Sequence, residues 1–257
     1  MQLIWLRSDL RLHDNTALSA AAARGPSVAV YLLSPEQWRE HDDAPCKVDF
    51  WLRNLSELSH ALNELNIPLQ IRQAPRWDDA PNVLLELCQQ LAIDAVHVNE
   101  EYGIHETRRD LAVADALKSR GIEFHSYLDQ LLFKPGSVLT RTGTYFQVFS
   151  QFRKVCHERL HHALPSLVSA PQVQAPVSIE LDKIPANIEG FETPGASLRA
   201  LWPAGEGEAR RRLDTFTDAQ IDYYQSERDF PAKPGTSQLS AYLAAGVISP
   251  RQCLHAA

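Results

Sequence analysis

The run SVAVYLL, Ser27–Leu33, set between Arg24-Gly25-Pro26 and Ser34-Pro35, decides the fold. Seven residues with no charge, rich in β-branched side chains and bounded by turn formers, read as a strand buried on both faces. Working outward, the same signal recurs at LIWL (Leu3–Leu6), PLQI (Pro68–Ile71), DAVHV (Asp94–Val98) and IEFHSY (Ile122–Tyr127). Helical patterns lie between them. One follows Asp14 or Asn15, either of which can cap it, and runs to Arg24. A second, Val48–Asn66, places Phe50, Leu55, Leu58, Leu62 and Leu65 at helical spacing. The others run over Asn82–Leu91 and Arg108–Arg120, where Gly121 is the stop signal. Five strand–helix repeats with short connections predict an α/β unit: a Rossmann-like five-stranded, mostly parallel sheet with helices on both faces. Ligands in such sheets bind at the carboxyl ends of the strands, here Arg7-Ser8-Asp9, Ser34-Pro35, Arg72, Asn99-Glu100 and Tyr127. No G-x-G-x-x-G or Walker loop follows the first strand.

Past Leu131 the pattern changes. Thr144–Leu164 reads as a helix carrying Tyr145, Phe149 and Phe152. A proline-rich stretch with Pro165, Pro171, Pro176, Pro185 and Pro194 reads as a linker, and after Leu198 the signals are helical only. The expected division is 1–130, an α/β unit; 131–197, a helix and linker; and 198–257, the start of an all-helical domain. The chain stops as a Ser249-Pro250 helix start begins, so a larger parent protein is expected. Without the rest of that domain, residues after Leu198 are expected to be disordered, self-associating or domain-swapped.

Charge is uneven. Residues 1–130 hold 12 Lys and Arg against 20 Asp and Glu, while the remainder holds 13 against 12. The overall −7 argues against nucleic acid, yet the near-neutral second part leaves a DNA partner open. Cys46, Cys88, Cys156 and Cys253 are scattered, with neither metal nor disulfide spacing, which points to a reducing cytoplasm. No apolar run is long enough for a membrane span.

Two groups of residues carry candidate chemistry. Gly235-Thr236-Ser237 opens a helical stretch, with Ser240 one turn on. Clustered hydroxyls there suit a phosphate, and an ordinary N-cap is the structural alternative. Tyr224, before Glu227-Arg228-Asp229-Phe230, is placed to stack on a ligand or to pack in a core. Arg228 suits a phosphate or its neighbour Asp229. In the first unit, His41 follows the second strand, and His105 and Glu106 follow the fourth. A carboxylate at that position can accept from a ring N–H and an exocyclic amine, as in a pterin, or can simply complement a helix N-terminus. Arg210-Arg211-Arg212 reads as a solvated helix face. Trp5, Trp38, Trp51, Trp77 and Trp202 read as packing residues.

WLRSDLRLHDN (Trp5–Asn15), YGIHETRRD (Tyr102–Asp110), GTYFQVFSQF (Gly143–Phe152) and ERDFPAKPGTSQLSAYLAAGVISPRQCLH (Glu227–His255) together closely resemble the DNA photolyase/cryptochrome flavoproteins. They are most similar to bacterial cyclobutane-pyrimidine-dimer photolyases of the folate-antenna kind. The resemblance implies an antenna-binding α/β domain, a linker and a helical domain holding FAD. In that family light-excited reduced FAD splits pyrimidine dimers in damaged DNA, and the full-length protein is a monomer. Carried over by motif, Tyr224, Thr236, Ser237, Gln238, Leu239 and Ser240 fall at flavin-contacting positions. Arg228 falls near the DNA-facing groove, and His41, His105 and Glu106 fall at antenna-contacting positions. Gln238 stands where arginine is common, and His105 where the folate type often has asparagine. The implied antenna is 5,10-methenyltetrahydrofolate, with 8-hydroxy-5-deazaflavin as the alternative. Two other functions compete: a cryptochrome-like blue-light photoreceptor, and a stand-alone pterin- or nucleotide-binding α/β protein.

Overall fold

A computed structural model describes residues 1–257. In chain order the elements are β1 (Gln2–Leu6), α1 (Thr16–Arg24), β2 (Ser27–Leu33), α2 (Pro35–Glu40), α3 (Pro45–Glu64), β3 (Leu69–Gln73), α4 (Ala80–Gln90), β4 (Ala95–Asn99), α5 (Ile104–Lys118) and β5 (Glu123–Tyr127). Then follow α6 (Phe149–His162), α7 (Ala196–Leu201), α8 (Glu206–Ala219), α9 (Tyr224–Glu227), α10 (Ser240–Ala244) and α11 (Pro250–Ala256). All strand pairs are parallel, in the order β3-β2-β1-β4-β5. The five expected strands and the two-faced α/β architecture are therefore present.

The alternation of strand side chains divides the core. Ile4, Leu6, Ala29, Tyr31 and Leu33 face α1 and α3, packing with Leu18, Leu55, Leu58 and Leu62. Leu3, Trp5, Val28, Val30 and Leu32 face the other way, onto Leu84 and Leu87 of α4 and Val113 and Leu117 of α5. Successive strand residues point to opposite faces, so strands covered twice are apolar at nearly every position. Asn15 caps α1, its side chain accepting from Leu18 N.

Part of the stretch after Leu198 is packed on the α/β unit, against the expectation of a disordered tail. Leu213, Leu239, Tyr242, Val247 and Ile248 are buried in the same cluster as α3. Tyr242 lies edge-on to Phe50 of α3, with ring centroids 5.2 Å apart, and its hydroxyl donates to Pro203 O. The apolar side of α3 is wider than the sheet can cover, and the tail buries the remainder. The proline-rich linker is likewise laid along the α/β unit. Asp182 N bonds Leu69 O, Gln70 Nε2 bonds Glu180 O, and Asp182 pairs with Arg72. These contacts cover the free edge of β3, which would otherwise offer unpaired backbone groups.

Three local expectations shift. The helix expected from Thr144 starts at Phe149, because residues 140–144 form a turn held by Thr140 N to Thr144 O and Thr144 N to Thr140 Oγ1. Tyr145, Phe149 and Phe152 are exposed, and Phe149 and Phe146 each pack against Phe152. Helix α5 starts at Ile104, four residues earlier than its apolar spacing suggested. Arg212 is not a solvated residue: it lies over the rings of Trp202 and Tyr242 and pairs with Glu208.

Buried His97 on β4 makes the sheet sensitive to acid. In the neutral tautomer its Nε2–H donates to Gln2 Oε1 and the Tyr127 hydroxyl donates to Nδ1, each at 2.9 Å. Burial, then the charges of His125 and Arg24, push its pKa from 6.5 down to about 4. The unfolded chain then binds the extra proton first, so this contribution is full above pH 6.5 and is lost as pH falls towards 4. We expect a loss on the order of 2 kcal/mol across that window, below the full conversion of the shift because partly exposed Tyr127 and His125 let solvent near the ring. Urea midpoints measured against pH check this. A His97→Gln variant should show a shallower acid dependence, and an unchanged slope would rule the histidine out as its source.

Candidate chromophore-binding site

The strand order reverses direction between β1 and β4, and the chain leaving their carboxyl ends diverges there. The cleft this opens has two compartments. The inner chamber, about 160 Å³, is lined by Trp5, Arg7, Tyr31, His41, Trp77 and Arg109 among others. The outer cleft, about 540 Å³, runs from Arg11 and Tyr102 to Leu243, Gly246 and Cys253. Ser8, Glu101 and Glu106 border both. Only the outer volume falls in the range usual for a small-molecule site, so a ligand of cofactor size would place one end inside and its body outside.

Local sequence explains how the walls are held. Arg109 reaches back from α5 and lies between two indoles, 4.9 Å from the ring centres of both Trp5 and Trp77. Arg7 covers Trp5 at 4.5 Å and binds Asp110 through two contacts. Such cation–aromatic contacts gain strength when desolvated. Glu101 accepts from Arg109 at 2.6 Å. Burial alone would raise its pKa, but Arg7 and Arg109 outweigh that and hold it below the usual value. Asp9 behaves oppositely: burial dominates and raises its pKa despite contacts to Arg7 N and Asn99.

Of the expected antenna residues, the structure brings all three together. His41 ends α2, edge-on to Trp77 at 4.9 Å, and His105 lies 5.6 Å from His41. Glu106 sits in the first turn of α5 with its carboxylate over Gly103, where a Cβ would come within 2.0 Å of it. Trp5 Nε1 and Arg7 Nε are buried without a hydrogen-bond partner, and both residues line the inner chamber. Two orphaned donors beside a carboxylate fit a heterocycle carrying both acceptors and N–H donors. Arg7 was named from sequence only as part of a strand end, Trp5 and Trp77 read as packing, and Arg109, which reaches the chamber from within α5, was not singled out.

The second group is arranged differently from its expected form. No helix opens at Thr236 or Ser237. The chain turns through Gln238, whose φ of 52° is left-handed, and α10 begins at Ser240 with no side-chain cap. A five-residue helix offers little dipole, so the anion reading rests on the hydroxyls of Thr236, Ser237 and Ser240. Leu239 is buried in the core, whereas Thr236, Gln238 and Ser240 face outward. Gln238 accepts from Arg212 at 3.1 Å, and Gly235 packs so tightly on Glu227 that a Cβ would meet it at 2.6 Å. These contacts bring residues 235–240 beside the α9 turn that carries Tyr224. Tyr224 packs edge-on to Phe216 and under Arg228, whose side chain also lies 3.7 Å from Asp229. The surface is open and hydroxyl-bearing, and fits one side of a phosphate-containing cofactor.

A family model described as DNA photolyase matches residues 2–172. The chain belongs to the DNA photolyase family. A deoxyribodipyrimidine photo-lyase of Vibrio cholerae is 35% identical over 263 residues, covering 99% of this chain and 54% of its own length. A class III photolyase structure from Agrobacterium tumefaciens superposes with a TM-score of 0.83 at 30% identity, covering 99% of this chain and 52% of that one. A cryptochrome structure from Synechocystis gives 0.85 at 22% identity, covering 99% and 54%, and shows the shared fold. This photolyase-family chain thus spans about half the length of the curated relatives it matches. None of its helices is long and apolar enough to cross a membrane.

Proposed function

We propose that this chain is the antenna-binding and flavin-entry portion of a deoxyribodipyrimidine photo-lyase, a light-driven DNA repair enzyme. The observation that carries the reading is the 35% identity to a relative of that name across 99% of this chain. When bound, reduced FAD would supply the electron that splits a cyclobutane pyrimidine dimer, and an antenna pigment would supply additional excitation. Tyr224, Thr236, Ser237, Gln238, Leu239 and Ser240 would hold one side of the flavin, chiefly through hydroxyls and the backbone around Gln238. Arg228, half-exposed beside them, would face DNA phosphate. Glu106, flanked by His41 and His105, would accept from the N–H edge of a folate antenna, and the indole N–H of Trp5 would donate to its acceptors. The test is light-dependent loss of thymine dimers from DNA by the natural protein, with a dark control. A flavin-loaded protein that leaves the dimers intact under illumination would sink the reading.

The antenna assignment has its own test. Glu106→Gln keeps the shape but loses the charge. Hydrogen bonds to a charged group are worth about 1.5–3 kcal/mol, so affinity for methenyltetrahydrofolate should fall at least about tenfold with FAD content unchanged. Equilibrium dialysis followed by absorbance checks it, and undiminished binding would remove Glu106 from the site.

A further inference from the structure

The loop after β1 and the segment after α10 are joined by a dense set of buried bonds. Leu10 N donates to Ala245 O at 3.2 Å, and Arg11 Nη1 donates to Gly246 O at 3.1 Å. Arg251 donates from Nε to both oxygens of Asp14 (3.1 and 2.9 Å) and from Nη2 to Asp14 O (3.0 Å) and to the Asp129 carboxylate (2.8 Å). Ser249 Oγ bonds the same Asp14 carboxylate. Ser249 and Asp129 are fully buried, and Asp14 and Arg251 nearly so.

The location of these bonds suggests a role beyond stability. At one end of the loop are Arg7 and Ser8, which border the inner chamber. The segment held by Arg251 continues directly from α10, whose first residue is Ser240. Leu243, Ala244 and Gly246 form the far wall of the outer cleft, opposite Glu101 and Glu106. The two candidate chromophore sites are therefore linked by one short path: chamber wall, β1–α1 loop, Asp14–Arg251 contact, α10. A guanidinium held by several acceptors fixes orientation as well as distance, which a single point charge does not.

We propose that Asp14 and Arg251 are positioning residues that set the separation and mutual orientation of the antenna and flavin sites, and hence the efficiency of excitation transfer between them. This rests on the proposed photolyase reading. Neither residue lines the cleft or belongs to the flavin-facing surface, so their effect would pass through the chain they hold.

The test uses the natural protein that carries this chain, loaded with reduced FAD and 5,10-methenyltetrahydrofolate, as wild type and as Arg251→Met, Arg251→Lys and Ser249→Ala. Sensitised flavin emission is compared with emission on direct flavin excitation, and hydrogen exchange of the α11 amides reports the local opening. We expect both pigments to bind, direct excitation to be unaffected, sensitised emission to fall most in Arg251→Met and in part in Arg251→Lys, and α11 exchange to speed by about tenfold or more. If Arg251→Met does not fold, Arg251→Lys and Ser249→Ala decide the matter by the same readings. Unchanged sensitised emission in a variant whose α11 exchange has accelerated would overturn the proposal while leaving the photolyase reading intact. Failure of the wild type to bind the two pigments would instead overturn both.

Discussion

Gly246→Ala should destabilise the protein by at least about 3 kcal/mol, an overpacking cost added to a left-handed backbone cost. Gly246 has φ 66°, and a Cβ built there would stand 2.0 Å from Ser8 O and 2.5 Å from Ser8 C and Asp9 Cα. All three are backbone atoms, so no side chain can swing away. The loop that would have to move carries Leu10 and Arg11, which bond Ala245 O and Gly246 O. Relief of the clash therefore breaks the contacts that bring the two segments together. Gly121 supplies the control. Its φ is 74°, nearly the same, but nothing lies within 4 Å of a Cβ there. Gly121→Ala should cost only about 1 kcal/mol, the price of the backbone conformation alone. Urea unfolding of the two variants separates the effects. Equal losses would mean that the approach of Ser8 to Gly246 is not a rigid feature of the fold.

What could be read from sequence follows the range of the physics. Strands β1, β2 and β4 were legible because double burial makes each a short, mostly apolar run; the partly exposed edge strands β3 and β5 carried a weaker signal, and the connections are marked by Gly25-Pro26, Ser34-Pro35 and Gly121. The cleft followed from strand direction, which pointed to His41 and Glu106, both in its lining; His105 was named through the family resemblance. Contacts between distant segments left no periodic trace. Trp5, Arg109 and Trp77 meet only because α5 returns across the strand ends, and Arg251 meets Asp14 across 237 positions. The opening of α10 was misread for a related reason. Thr236 and Ser237 have the chemistry of caps, but Gln238 turns left-handed and the tight seat of Gly235 on Glu227 fixes the preceding backbone. The tail was expected to lack a partner because its packing was expected to come from further helices of its own domain. The partner is the broad apolar side of α3, whose excess width is visible only once the sheet's coverage is known.

The largest single effect is expected at Asp129. Its carboxylate is fully buried and accepts from Arg11, from Arg251 Nη2 at 2.8 Å, and from Thr16 N and Oγ1 at 3.1 and 2.8 Å. Burial works against its ionisation, but the charge and hydrogen bond of Arg11, with the bonds from Thr16 and Arg251, prevail and hold its pKa below the ordinary value of 3.8. Asp129→Asn preserves the shape and leaves Arg251 with the Asp14 carboxylate alone, while buried Arg11 loses its one ion pair and keeps only the backbone oxygens of Asp14 and Gly246 as direct partners. Removing one member of a buried ionic cluster typically costs about 3–5 kcal/mol, much of it from the unpaired charge left behind. The sign with pH follows from the lowered pKa. The unfolded chain takes up the proton first, so the contribution of Asp129 is complete above the ordinary carboxylate range and is lost as pH falls through the lower folded value. Wild type and Asp129→Asn should therefore differ most near neutral pH and converge as pH falls through the lowered folded value, where the native carboxylate also becomes neutral. Chemical denaturation at a series of pH values reads this directly. A constant gap between the two proteins down to the acid limit would show that Asp129 acts through shape and hydrogen bonding, with its charge contributing nothing to the hold of α11 on the β1–α1 loop.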